Sequence, residues 1–221
     1  MKERDLKALV KKYGKRYSEL LGINLEDGDD TEIFKWFLAA VLFGAPITEK
    51  SVIKTYKCFE KHGVLTPDKI LKAGWDDLVE ILDEGSYTRY DYKTADKLLK
   101  VMKNLTTKYD GSLGLLHEKA LNSLDLEKRL RGLGRGIGDV TVSIFLRELR
   151  GIWRKADPKP TPLVVLGAKN MGIIKIETPE KTLETLKEFW KRNEIKGGSF
   201  VNFETALLRL GKDLRRKKSN Y

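Results

Sequence analysis

Apolar residues recur along most of this chain at spacings of three and four, as in helices that bury one face. In "RDLKALVKKYGKRYSELLG" they are Leu6, Leu9, Val10, Tyr13 and Tyr17, which predicts an amphipathic helical segment. "TEIFKWFLAAVLFGA" is apolar on most faces and begins after a cap at Asp30 or Thr31, which predicts a central buried helix. "TEKSVIKTYKCFEKHG" runs from a Thr48 cap to a Gly63 stop. "TPDKILKAG" and "WDDLVEILDEG" predict short helices closed by glycine, "RYDYKTADKLLKVMKNLTTKYDG" a longer one, and "LGLLHEKALNSLDLEKRLRGLG" two more. Period-two alternation is confined to "GIIKIE" at 172–177, a short strand or a connector. "DPKPTP" at 157–162 holds three of the six prolines and forces an extended path. The basic C-terminal "KDLRRKKSNY" is expected to fray. The expected fold class is all-α.

One stretch departs from the helical pattern. In "GRGIGDVTVSIFL" glycine occupies positions 134, 136 and 138, directly before a helix. Alternate glycines permit positive φ and leave room for a ligand against the backbone. A helix start just after them offers unpaired N–H groups and a positive dipole end, together an anion site. The preceding helix is expected to pack through Leu126, Leu130 and Leu133, the following one through Val140, Ile144, Phe145 and Leu149. A plain helix–helix connection with glycine caps fits the same residues. A dinucleotide site fits less well, because no strand precedes the glycines.

Composition narrows the choice of anion. There are 43 basic and 32 acidic residues, a formal +11, which suits a solvated lysine-rich surface or a nucleic-acid partner. Apolar residues make up 41% of the chain, and no run is long enough to span a membrane. The N-terminal "MKERDLKALVKKYGKRY" lacks an apolar signal core, so an intracellular, cytoplasmic protein is expected. Cys58 is the only cysteine, which excludes an internal disulfide and a four-cysteine cluster. His62 and His117 form no ligand pattern, so no metal is assigned to side chains. Glutamine is absent and Lys and Glu are abundant, a composition that leans towards a thermophile.

"GIGDVTVSIFLREL" resembles the hairpin of the helix-hairpin-helix DNA glycosylases, the endonuclease III superfamily, with Gly136-Ile137-Gly138 as the glycine–aliphatic–glycine core. "WFLAAVLFGAPITEKSVIKTYKCF", "GSYTRYDYKTADKLLKVMKNL" and "FVNFETALLRLGKDL" are similar to the family's buried helix, its glycine–aromatic–lysine segment and its final helix, over residues 33 to 214 in order. The resemblance implies a two-lobed helical fold. The first lobe would cover 33–152 and end in the helix-hairpin-helix at about 124–149. The second would combine 1–32 with 153–221, and the active-site cleft would lie between them. It also implies a catalytic aspartate at Asp157, in "RKADPKPTP", at the mouth of that cleft.

The implied chemistry is base excision. An enzyme that acts on a base in a duplex must flip the nucleotide out, and phosphate contacts help offset the unstacking. Gly134, Arg135, Gly136, Ile137, Gly138, Val140 and Lys155 are the implied DNA contacts. Asp157 would stabilise the cationic sugar and orient or deprotonate the attacking water. Tyr87 and Trp153 are the preferred pocket aromatics, followed by Phe43, Tyr90 and Trp36, the last reading first as a core residue. Pro46 stands where the family carries its DNA-inserting residue. Bifunctional members place a Schiff-base lysine at the position of Val140, so a monofunctional enzyme is implied. Lys155 is the nearest lysine for the rival lyase reading, and a non-catalytic DNA-binding protein is the other rival. No cofactor is required, although hairpin carbonyls in this family would suit a sodium or potassium ion. The expected partner is double-stranded DNA with a damaged or mismatched base, engaged by a monomer. Uracil, mismatched thymine, alkylated purine, hypoxanthine and oxidised guanine all stay open as the excised base.

Overall fold

The computed structural model describes residues 3–175 and 178–219. Its elements there are all helices, as the periodicity predicts. In order they are α1 (Glu3–Tyr13), α2 (Tyr17–Leu21), α3 (Asp30–Phe43), α4 (Glu49–Lys61), α5 (Pro67–Glu84) and α6 (Asp91–Tyr109). Then follow α7 (Leu113–Lys119), α8 (Ser123–Arg131), α9 (Asp139–Glu148), α10 (Pro162–Asn170), α11 (Pro179–Arg192) and α12 (Phe200–Ser219). Among the described residues no helix is long and apolar enough to cross a membrane. The chain divides into two compact units, one of residues 18–157 and one of residues 1–17 with 158–221.

In the unit 18–157, α3 is the axis. Every residue from Ile33 to Leu42 except Lys35 is buried, because this helix carries almost no polar face. Trp36 is fully buried, and its Nε1 donates to the carbonyl of Phe145 at 3.0 Å, which ties α3 to α9. Phe37 meets Phe145 edge-on at 5.2 Å. Each such side chain contributes about 1.5–3 kcal/mol by leaving water. The two short helices expected over 66–85 are present within α5: they meet at Gly74, whose φ of 74° no helix interior adopts, and the second ends at Gly85. The cap of α3 is Asp29, not Asp30 or Thr31; its carboxylate accepts from the N–H of Glu32.

In the unit of the chain termini, α12 is the element on which α1, α10 and α11 pack. Gly167 on α10 lies against the backbone of Leu207, and Gly211 on α12 lies against the backbone of Leu163. The two helices therefore touch main chain to main chain, and neither position has space for a methyl group. Phe203 stacks with Phe189 and Trp190 beside this crossing. The helical segment expected from residue 4 to 22 breaks after Tyr13, where the carbonyl of Gly14 accepts from Asn202. Of the C-terminal segment expected to fray, the residues through Ser219 belong to α12, and Asn220 and Tyr221 lie outside the described residues. Gly172–Lys175 forms turns and bends rather than a strand; Ile176 and Glu177 lie outside the described residues. Threonine–proline pairs start α5, α10 and α11, with the threonine capping the helix and proline filling the first turn.

Candidate active site

The hairpin joins α8 to α9 through 132–138. Its two hydrophobic anchors, Leu133 and Ile137, are buried, and the N–H of Ile137 closes a tight turn onto the carbonyl of Gly134 at 3.1 Å. Gly136 sits inside this turn at φ 94°, a value that requires glycine. One face of α6 supports the loop. Asn104 donates to the carbonyl of Leu133 at 2.7 Å. A Cβ at Gly134 would come within 2.8 Å of Val101 Cγ2, and one at Gly136 within 2.8 Å of Lys97 Cε. Residues 97, 101 and 104 stand at the i, i+4, i+7 spacing of one helical face.

Gly138 caps α9 with an ordinary negative φ and no side-chain hydrogen bond. Arg135, Gly136, Gly138 and Asp139 are exposed. Asp139 pairs with Arg131 at 2.9 Å. Val140 does not pack into the core as expected: it is 62% exposed, and α9 buries Thr141, Val142, Phe145 and Leu146 instead. Lys97 is the cation that sequence patterning missed. Its ammonium is partly buried beside the loop, and burial holds its pKa below the usual lysine value.

The other end of α9 leads into the loop that carries Asp157. The N–H groups of Ile152 and Trp153 both donate to the carbonyl of Leu149, and Gly151 turns the chain at φ 81°. Trp153 is buried between His117, stacked at 4.6 Å, and Phe145, edge-on at 5.5 Å. Burial, and then Lys155 and Arg154, hold the His117 imidazole below its ordinary pKa. Lys155 donates to the carbonyls of His117 and Glu118 at 2.7 and 3.1 Å, completing the C-terminal end of α7. Asp157, the last residue of this unit, forms an ion pair with Arg150. The Arg150 side chain is 6% exposed and that of Asp157 40%, so a buried guanidinium orients an accessible carboxylate. The ten residues of α9 set the hairpin and this loop about 15 Å apart along the helix.

The remaining aromatic candidates lie further inside. Tyr87 is buried and donates to the carbonyl of Leu42 at 2.8 Å; burial pushes its pKa up. Trp36 is core, as first read, and Phe43 beside it is half-buried. Tyr90 meets Tyr87 at 6.4 Å. Pro46 is exposed in the loop between α3 and α4.

No protein-family model and no curated protein sequence matches the chain. A solved structure does: the crystal structure of H. pylori 3-methyladenine DNA glycosylase (MagIII) bound to 1,N6-ethenoadenine. The TM-score is 0.60 at 16% identity, over 98% of this chain and 97% of that one. This chain shares that fold. The likeness spans both units, which agrees with the all-α reading of the sequence.

Among the hairpin carbonyls, those of Leu133, Gly134 and Gly138 each accept one hydrogen bond, from Asn104, Ile137 and Val142, and each keeps a second lone pair.

Proposed function

We propose that this protein is a helix-hairpin-helix DNA glycosylase of base excision repair. The observation that carries the proposal is the accessible Asp157 carboxylate, fixed by buried Arg150 one helix length from a glycine hairpin. Its setting in a fold shared with a DNA glycosylase supports it. The hairpin N–H groups, Arg135 and Lys97 hold phosphates of the damaged strand while the nucleotide is turned out. As the N-glycosidic bond breaks, its electron pair leaves with the base and C1′ becomes cationic. The Asp157 carboxylate stabilises that cation and accepts a proton from the water that adds to C1′. Arg150 is a positioning residue that holds the carboxylate. Trp153 is the pocket aromatic closest in sequence to Asp157.

The activity is hydrolysis without strand cleavage. Val140 stands where a lyase of this kind carries its lysine, and the Lys155 ammonium is engaged by two main-chain carbonyls. The chain has one cysteine, so this enzyme works without an iron–sulfur cluster. Alkylated purines are the first substrate class to test, because the solved structure of the same fold is named for 3-methyladenine.

The test is base release from duplexes that each hold one lesion: an alkylated purine, hypoxanthine, uracil, mismatched thymine or 8-oxoguanine. The expected result is strand breakage only after alkali, greatest for the alkylated purine. Breakage without alkali, or trapping of a covalent adduct by borohydride, would replace this reading with a lyase. Binding without release from any lesion would leave a non-catalytic hairpin protein.

A further inference from the structure

The positive charge of this protein does not lie with the hairpin. Residues 18–157 contain 22 Lys and Arg against 23 Asp and Glu. Residues 1–17 and 158–221 contain 21 against 9, so the terminal unit carries the whole excess.

Part of that excess is gathered where α1 meets α12. Lys12 Nζ stands over the Tyr13 ring at 4.7 Å, and the Tyr13 hydroxyl donates to Asp213 at 2.7 Å. Arg216 reaches the same carboxylate at 4.0 Å. Arg209 stands over the Tyr17 ring at 4.3 Å and donates to the carbonyls of Tyr13 and Lys15. Lys212 donates to the Tyr17 hydroxyl at 3.2 Å. Lys12, Arg209, Lys212 and Arg216 thus converge on one carboxylate and two tyrosines. Lys11, Lys15, Arg215 and Lys217 are exposed on the same two elements and the turn after α1. Glu204 on α12 is buried and adds nothing to the outer face, whereas Asp5, two turns before Lys12 on α1, is exposed and offsets one of these cations.

We propose that this α1–α12 face binds the phosphodiester backbone of duplex DNA without regard to sequence. It would hold the protein on undamaged DNA, while the hairpin and Asp157 act at the lesion. The choice of DNA over other polyanions rests on the glycosylase reading. A cluster of cations with little opposing charge recovers its energy by releasing condensed counterions, so its contribution is read in the salt dependence of binding.

The experiment measures binding of the full chain to an undamaged duplex by fluorescence anisotropy across a range of salt. Lys12→Ser, Arg215→Ser, Arg216→Ser and Lys217→Ser are combined in one variant. It is expected to flatten the slope of log affinity against log salt by about three, and to weaken binding at least about tenfold near physiological salt. A charge-matched control carries Lys69→Ser, Lys72→Ser, Lys103→Ser and Lys108→Ser, all exposed positions of the other unit. It is expected to change the slope by less than about one. Charge-conserving Lys12→Arg with Lys217→Arg should keep the wild-type slope. If the quadruple variant melts early, the pair Arg216→Ser and Lys217→Ser is measured instead, with a slope change of about two.

An unchanged slope would overturn the proposal. So would equal changes in both quadruple variants, which would mean that net charge alone matters. Equal binding of phosphatidylserine vesicles would also overturn it, by making the face a general polyanion surface. Excision at saturating enzyme should stay at the wild-type rate in the quadruple variant. Absence of excision in the wild type would refute the glycosylase reading and leave the slope result standing.

Discussion

In the unit 18–157, Gly134 and Gly136 lie against Val101 and Lys97, and the space that they leave keeps a loop thin and open to solvent. In the unit of the chain termini, Gly167 and Gly211 lie against the backbones of Leu207 and Leu163, and the space is filled by another helix. The same residue type keeps a loop thin in one unit and lets two helices touch in the other. Charge divides in the opposite sense. The unit with the hairpin is close to neutral, and the unit with the tight helix crossing is strongly basic. The difference teaches that an overall +11 says little about which surface meets a ligand. The hairpin offers backbone geometry and a few placed cations, whereas the terminal unit supplies the long-range field.

Substitutions can break this comparison at either end. The largest effect is expected from Gly211→Ala. A methyl group there meets the Leu163 carbonyl, so α10 and α12 must separate, at about 3 kcal/mol of stability. Denaturant unfolding measures it; a loss below about 1 kcal/mol would show that the crossing is looser than described. Next is Arg150→Ala, which frees Asp157 from its buried partner. Single-turnover base release should fall about 10–100-fold with duplex affinity unchanged, and Arg150→Lys should recover part of the rate. Equal loss of rate and affinity would make Arg150 a folding residue.

Gly136→Ala should cost about 1–2 kcal/mol, because φ 94° strains any other residue and Lys97 must move. Lesion-duplex binding should weaken with it, and a variant that binds like wild type would remove the hairpin from the DNA contact. The smallest effect concerns His117. Burial lowers its pKa in the folded protein, so the unfolded chain takes up the proton more readily. Its contribution is complete above pH ~6.5 and declines as the pH falls below that value. Thermal melts of His117→Phe should therefore lose less stability between neutral and mildly acid pH than the wild type does. A steeper acid loss in the variant would reverse the sign.

Much of this was legible in the chain because the signals are local. The apolar run at 33–42 could only be a buried helix, the Thr48, Gly63 and Gly74 punctuation fell where elements start, stop or bend, and Trp36 is core. What escaped depends on residues distant in sequence. Val140 reads as a packing residue by periodicity, yet α9 turns the neighbouring Thr141 and Val142 inward. Lys97, Val101 and Asn104 look like any face of a long helix until the hairpin is laid against them. Gly167 and Gly211 gain meaning only from each other's helix. The division of charge appears only once residues 1–17 are seen to fold with 158–221. Arg150 stands seven residues before Asp157, near enough to suspect and undecidable without the turn at Gly151.

In the proposed function Asp157 performs chemistry on DNA that other residues hold. The most direct test compares wild type with Asp157→Asn on one duplex with an excisable base. Base release is followed under single turnover, and affinity is measured on the same DNA. Release is expected to fall at least about 100-fold while affinity stays within a few-fold, since the amide keeps the shape and loses the charge. Release at the wild-type rate, or a matching loss of affinity, would contradict it.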